Sequence, residues 1–288
     1  MIRTIANTLR AYFELTKPGI VLWLLITGYC AMVVAYRGFP SAGVTIFTMV
    51  GLAMSAGGAH AVNMWYDRDI DRIMKRTQKR PIITGRVAPA NALAFGIACG
   101  AISFVGMGLL VNWLAAAASL TGYLFYVFIY TLWLKRRSAQ NIVIGGAAGA
   151  FPPIVGWAAI TDHVGIAAAL MFLLIFMWTP PHFWSLALFR QDDYRQAHIP
   201  MMPLVRGPQS TKIQSLIYTV LSLAVSIGLY LTHTVGDIYL AAAVILGLVF
   251  IVYNIRLLRE PSSEQVWAKK TFHFSLIYIA ALFVAMVV

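Results

Sequence analysis

Residues 44–86 read VTIFTMVGLAMSAGGAHAVNMWYDRDIDRIMKRTQKRPIITGR. The first twenty-three, through Tyr66, contain no Asp, Glu, Lys or Arg, whereas the twenty that follow contain ten. About twenty apolar residues coiled as a helix cross a hydrocarbon layer, because every backbone N–H and C=O then finds its partner inside the segment. The stretch is therefore a membrane helix that runs out into a charged loop.

The rest of the chain repeats this pattern. Of its 288 residues, 60% are apolar and 11% charged, with a mean hydropathy of +0.77. A soluble domain spends about a quarter of its residues on Asp, Glu, Lys and Arg, so a water-soluble globule is excluded. Spans are predicted at roughly 18–36, 44–66, 90–110, 114–134, 141–160, 164–189, 213–231, 238–258 and 271–288. The expected fold is all-α: a polytopic membrane protein of nine transmembrane helices, with residues 1–288 forming one membrane domain. The first apolar run reads as a retained helix rather than a removable signal peptide, since no Ala-x-Ala-like site follows it. Cys30 and Cys99 both lie inside apolar runs, so no disulfide framework is expected.

Alternating the loops across nine spans puts 21 of 22 basic and 8 of 10 acidic residues on the side of the amino terminus, leaving only Arg37 among the basic ones opposite. The two sides then carry +13 and −1. By the positive-inside rule the crowded side is cytoplasmic, so the amino terminus lies inside and the carboxyl terminus outside. The net charge of +12 thus reports orientation and not nucleic-acid binding. Two inner loops, about 67–89 and 190–212, are long and charged, so chemistry is expected at that face.

In the first loop Asn63, Asp67 and Asp71 stand at i, i+4 and i+8, one stripe of a helix rising about 6 Å per step; Asp69 points away from it. Two carboxylates and a carboxamide so placed supply hard oxygen donors suited to Mg²⁺, especially Mg²⁺ that also meets substrate phosphates. The plainer alternative pairs Asp67 and Asp71 with Arg68, Arg72 or Lys75 on neighbouring turns. The depth of Asn63, straight after an apolar run, argues against it. Lys75, Arg76, Lys79 and Arg80 are expected to continue the helix as far as Pro81, either as a topology signal or as phosphate ligands.

The second loop repeats the arrangement. MWTPPHFWSLALFRQDDYRQAHIPMMPLVRG, residues 177–207, brings Arg190, Asp192, Asp193, Tyr194 and Arg195 to the end of another inward-running helix. Two acidic clusters that face one another can bridge a diphosphate through Mg²⁺ and neutralise it as it departs, which is what electrophilic alkyl transfer requires. A transporter would instead gather its polar groups near the midplane.

ELTKPGI at 14–20, N-x-x-x-D-x-x-x-D at 63–71, KRPIITGR at 79–86, LKRRSAQNIVIGGAAGAFPPIVGW at 134–157, TPPHFWSLAL at 179–188 and DDYRQAHIPMMP at 192–203 together resemble the intramembrane UbiA-type prenyltransferase superfamily, and within it the branch that farnesylates heme. The resemblance covers almost the whole chain. It implies a central cavity under a cytoplasmic cap, with Asn63, Asp67 and Asp71 holding Mg²⁺ and diphosphate. The second D-x-x-x-D motif of the quinone-type relatives is incomplete here. The step from Asp193 lands on Ala197 and that from Asp192 on Gln196, as in the D-Y-x-x-A of the heme branch. Either aspartate is left to complete the metal set, and Asp193 is favoured. Substrate contacts are expected from Lys75, Lys79, Arg80, Lys135, Arg136, Asn141, His182, Arg190, Asp192, Tyr194 and Arg195, with Lys135 and Arg136 facing diphosphate or heme propionates. His182 is expected beside heme, where Thr179, Pro180 and Pro181 open the helix. Trp65, Tyr66, Tyr123, Tyr126, Phe183 and Trp184 are cavity or packing aromatics, and the GGAAGA run reads as close helix packing. The implied reaction moves farnesyl from farnesyl diphosphate to the 2-vinyl group of heme b, with addition of water, giving heme o and diphosphate. Heme b is then a substrate, and the partners implied are the lipid bilayer and a transient heme-handling protein or heme A synthase.

Overall fold

A computed structural model describes residues 2–261 and 263–288. Among them every regular element is helical, and nine segments are long and apolar enough to cross a membrane. An amphipathic helix α1 (Ile2–Leu15) precedes the first span, α2 (Pro18–Tyr36). The second span, α3 (Ala42–Tyr66), leads through Asp67 into the short α4 (Arg68–Ile73). α5 (Pro89–Leu110) is followed by α6 (Trp113–Leu124), which continues as a π-helix over Phe125–Leu134. α7 (Asn141–Gly145) and α8 (Ala147–Thr161) together make the fifth span, and α9 (Ile166–Phe189) the sixth. Short helices α10 (Gln191–Gln196) and α11 (Met202–Val205) precede α12 (Gly207–Tyr230), α13 (Asp237–Arg259) and α14 (Val266–Ala285).

Two spans begin earlier than the sequence reading places them. α12 starts at Gly207 and not 213, because Lys212 is buried and donates to Glu260 O at 2.5 Å instead of belonging to a loop. Glu260 in turn accepts from Trp267 N at 2.6 Å, capping α14, which starts at Val266 and not 271. Lys269 and Lys270 sit on that first turn with exposed side chains, Lys270 reaching over the Trp267 ring. A third difference concerns residues 74–80. The helix expected to run to Pro81 ends at Ile73, Met74 turns extended (ψ 120°), and Lys75–Arg80 form tight turns closed by Thr77 Oγ1 bonds to Asp71 O and Met74 O. The stripe survives this break, because Asp67 N bonds Asn63 O and Asp71 N bonds Asp67 O, each at 2.9 Å.

Small residues set the helix crossings. A Cβ on Gly156 would lie 2.1 Å from Gly28 O, so α8 and α2 meet backbone to backbone. Outward faces are apolar and bare: Ile102, Leu109, Ile217, Ile245, Val252 and Ile277 are all exposed, as a surface that meets lipid requires. On α1, Ile5, Leu9 and Phe13 are exposed while Ala11 and Leu15 are buried, the pattern of a helix lying at the interface. The two charged loops are joined by an apolar cluster of Ile70, Met74, Tyr194, Ala197, Ile199 and Met201. That cluster makes the two loops one cap over the bundle.

Candidate active site

Beneath the cap lies a cavity of about 750 Å³, walled by α2, α3, α6 with its π-helical extension, α7, α8, α9 and α14. Its depth is apolar and aromatic, with Trp23, Leu52, Tyr123, Phe151, Trp178 and Phe272 among the lining residues. Its mouth under the cap is polar, carrying Lys17, Asn63, Arg76, Arg80, Lys135 and Asn141. The π-helix helps to build this mouth. Its i→i+5 register, seen in the 2.9 Å bond from Lys135 N to Tyr130 O, accompanies the turn of Tyr126, Tyr130 and Lys135 onto the cavity wall.

Asn63, Asp67 and Asp71 are nearly sealed, at 2%, 0% and 2% exposure. Asn63 Nδ2 donates to Asp67 Oδ2 at 2.7 Å and to Thr131 Oγ1 at 3.1 Å, and Lys17 Nζ donates to Asn63 Oδ1 at 2.8 Å. Lys135 Nζ is ion-paired with Asp67 Oδ2, with Arg136 3.5 Å from the other oxygen. Arg80 holds Asp71 Oδ2 at 2.5 Å. The carboxylates are therefore not paired with Arg68, Arg72 or Lys75 of their own helix; Arg68 instead donates to Trp65 O. Their partners come from across the fold. Burial, with Arg80 and Lys135 beside it, holds the Lys17 ammonium well below its ordinary value.

Asp69, off the stripe as its spacing predicts, is 59% exposed and held by both guanidinium nitrogens of Arg136 at 2.6 and 2.7 Å, which lowers its pKa. Arg136 therefore does not line the cavity. Lys75, Lys79 and Arg190 are exposed and also outside it. Arg76, one of the four cations read as a topology signal or as phosphate ligands, stands on the wall, and so does Lys17, which the sequence reading did not place among the ligands; the signal for Lys17 was its place in ELTKPGI.

The second cluster is brought in only in part. Tyr194 is buried and lines the cavity, and burial pushes its phenol up, keeping the proton on it. Asp192 points outward into an exposed pair with Arg195 at 2.9 Å, and neither Asp192 nor Asp193 lines the cavity. Among the described residues no three His, Cys, Asp or Glu side chains converge as a metal cage. Asn141 lines the wall with its buried Oδ1 unpartnered. His182 does too, although α9 runs unbroken through Pro180 and Pro181 and does not open there. Of the aromatic candidates Tyr123, Tyr126 and Phe183 face the cavity; Trp184 is core, and Trp65 and Tyr66 lie outside. In the glycine run, a Cβ on Gly145 would strike the Tyr130 ring at 2.3 Å, whereas one on Gly149 meets no atom within 4 Å and faces the cavity.

Residues 24–277 match the model of the UbiA prenyltransferase family. The chain is 52% identical over 280 residues to a protoheme IX farnesyltransferase of Symbiobacterium thermophilum, covering 97% of this chain and 94% of the relative. It is 46% identical to a protoheme IX farnesyltransferase of Acidiphilium cryptum, covering 96% and 89%. A structure described for digeranylgeranylglyceryl phosphate synthase in membranes superposes with a TM-score of 0.82 at 18% identity, over 97% of both chains. A UbiA homolog from Archaeoglobus fulgidus bound to GPP and Mg²⁺ does so with a TM-score of 0.66 at 18% identity, over 96% and 100%. At that identity the likeness is one of fold.

Proposed function

The chain belongs to the UbiA prenyltransferase family, and from that premise we propose that it transfers the farnesyl group of farnesyl diphosphate to the 2-vinyl group of heme b, with addition of water, releasing heme o and diphosphate. The observation that carries this reading is the 52% identity to a protoheme IX farnesyltransferase over nearly the full length of both chains. The cavity supports it independently, since its cationic mouth suits a diphosphate and its aromatic depth suits a farnesyl chain and a porphyrin.

The donor chemistry of the stripe fits Mg²⁺: Asn63, Asp67 and Asp71 offer hard oxygens one turn apart at the cavity mouth, and Asp193, although it does not line the cavity, is the aspartate of the second cluster we assign as a further ligand. Bound there, Mg²⁺ supplies charge neutralisation to the departing diphosphate. Lys17, Arg80 and Lys135 surround the same atoms and stabilise the charge that accumulates on the leaving group, which favours the transition state over bound substrate. Tyr194 and Asn141 add a neutral hydrogen donor and acceptor at the rim. The apolar, aromatic depth of the cavity suits holding the farnesyl chain beside the vinyl edge, so that the allylic cation meets the vinyl carbon and the water that is added then captures the cation left on the heme side chain and gives up a proton. No side chain needs to act as a covalent nucleophile.

In this reading the protein is a multi-pass membrane protein of the bacterial inner membrane, working as one domain with its amino terminus and cap cytoplasmic. Its apolar product passes to a transient heme-handling partner or a heme A synthase. The test supplies purified protein with Mg²⁺, farnesyl diphosphate and heme b and reads heme o by mass spectrometry. No heme o, with turnover of a quinone precursor instead, would overturn the acceptor.

A further inference from the structure

Two histidines line the cavity, His60 and His182, and in each one ring nitrogen is already committed. His60 Nδ1 lies 2.8 Å from Thr16 O, and a carbonyl only accepts, so the His60 proton sits on Nδ1. His182 Nδ1 lies 2.7 Å from Ser275 Oγ, whose own hydrogen goes to Phe272 O at 2.6 Å. The serine therefore accepts and His182 donates. A neutral imidazole protonated on Nδ1 keeps its lone pair on Nε2. Neither Nε2 has a hydrogen-bond partner among the described residues, and both side chains face the cavity.

An imidazole with one N–H fixed on an oxygen and the other nitrogen bare is the arrangement found in metal-ligating histidines, where the second contact sets the tautomer and raises ligand basicity. The two rings differ in surroundings. His60 is one turn from Asn63, beside the Lys17 and Arg80 charges at the polar mouth of the cavity. His182 is 92% buried, since only 8% of it is exposed, and is clamped between parallel rings: Trp178 at 4.5 Å and 17°, Phe272 at 4.7 Å and 23°. Phe183 closes a further side edge-on at 5.1 Å. The clamp is itself anchored, because Trp178 Nε1 donates to Ser275 O at 2.8 Å. So rigid a mount suits a fixed ligand geometry, and the apolar wall around it suits a porphyrin.

We propose that Nε2 of His182 is an axial ligand to the iron of the heme substrate, holding the macrocycle against the α9–α14 wall so that a vinyl edge faces the polar mouth. Ser275 is the positioning residue that fixes the tautomer. The inference rests on heme b being the acceptor, and its test is spectroscopic so that the two can fail separately.

The full-length chain in nanodiscs is titrated with heme b in the ferrous state, and resonance Raman spectroscopy reads the iron–histidine stretch. The wild type is expected to show it; His182→Ala loses it while keeping the wild-type size-exclusion profile and thermal unfolding, which a misfolded variant does not. Ser275→Ala keeps the band but shifts it, with heme affinity reduced about tenfold, and His60→Ala leaves it unchanged. A band that persists in His182→Ala, or that is lost in His60→Ala but not in His182→Ala, overturns the assignment. So does a His182→Ala protein that forms heme o at the wild-type KM for heme with no band in either protein. If the wild type shows the histidine band yet yields no heme o with farnesyl diphosphate and Mg²⁺, the proposed reaction fails while the ligand stands.

Discussion

Replacing Asp67 with Asn, alone and together with Lys135→Met, separates catalysis from support. Asp67 is fully buried and Lys135 keeps 15% of its side-chain exposure, so their ion pair lies largely out of water. Removing one charge strands the other; for buried pairs this costs about 3–5 kcal/mol. The low end, about 3 kcal/mol, applies here, because Lys135 retains some solvent and Arg136 keeps its bidentate partner Asp69. Lys135→Met strands Asp67 with only Asn63 at 2.7 Å and Arg136 at 3.5 Å, and is expected to cost about as much. The double variant contains neither stranded charge and is expected to regain most of the loss, giving a coupling far above the ~0.5 kcal/mol within which independent sites add.

Activity must behave differently if Asp67 holds metal and diphosphate. Asp67→Asn is expected to lower kcat at least about 100-fold, or roughly 2.7 kcal/mol of barrier, and the double variant is expected to regain none of it. Stability is read by denaturant or thermal unfolding in micelles, and turnover by heme o formation at saturating Mg²⁺ well below the unfolding range. Recovery of turnover along with stability in the double variant would refute the reasoning and leave Asp67 as a structural partner of Lys135.

Asp69→Asn should leave turnover within a few-fold and lower stability by less than about 1 kcal/mol, since its pair is exposed. Because Arg136 depresses the Asp69 pKa below its ordinary 3.8, that small contribution is present above this pH and lost as pH falls through the lowered value, so unfolding of the variant should depend less on pH in that acid range. In the cap, Asp193→Asn is expected to raise the Mg²⁺ needed for half-maximal turnover while Asp192→Asn does not; equal responses would remove Asp193 from the metal set. Gly149→Phe should fold normally and raise the KM for substrate by filling the cavity, whereas Gly156→Ala should lower the yield of folded protein, its Cβ being forced to 2.1 Å from Gly28 O. Size-exclusion profiles beside turnover distinguish the two.

The spans were legible because hydrocarbon imposes a length and forbids unpaired backbone, a rule that local sequence obeys without knowledge of neighbours. It failed where a polar residue is satisfied by tertiary contact. Lys212 reads as loop until Glu260 O, 48 residues away, is seen to accept from it. The π-helix over Phe125–Leu134 was illegible for another reason: FYVFIYTLWL is apolar throughout, so no polar position betrays whether the register is i→i+4 or i→i+5. Lys75 and Lys79 were counted as ligands because a continued helix would have carried them past the stripe, and the extended Met74 turned them out to solvent.

The site divides along the same line. Asn63, Asp67 and Asp71 share a stripe by helix geometry alone, so spacing found them. Their cations arrive from other elements, Lys17 46 residues before Asn63 and Lys135 68 residues after Asp67, and spacing could not rank them. What the assembled charges imply is stronger than either half. Four cations, Lys17, Arg76, Arg80 and Lys135, line the cavity mouth against the two buried carboxylates of Asp67 and Asp71. A cluster kept for stability would tend to balance its charges, because uncompensated charge out of water destabilises the fold. The surplus is positive, and burial, with Arg80 and Lys135 adding to it, depresses the Lys17 ammonium. An anionic ligand seated at that mouth relieves it, whereas a structural salt-bridge network leaves it unexplained.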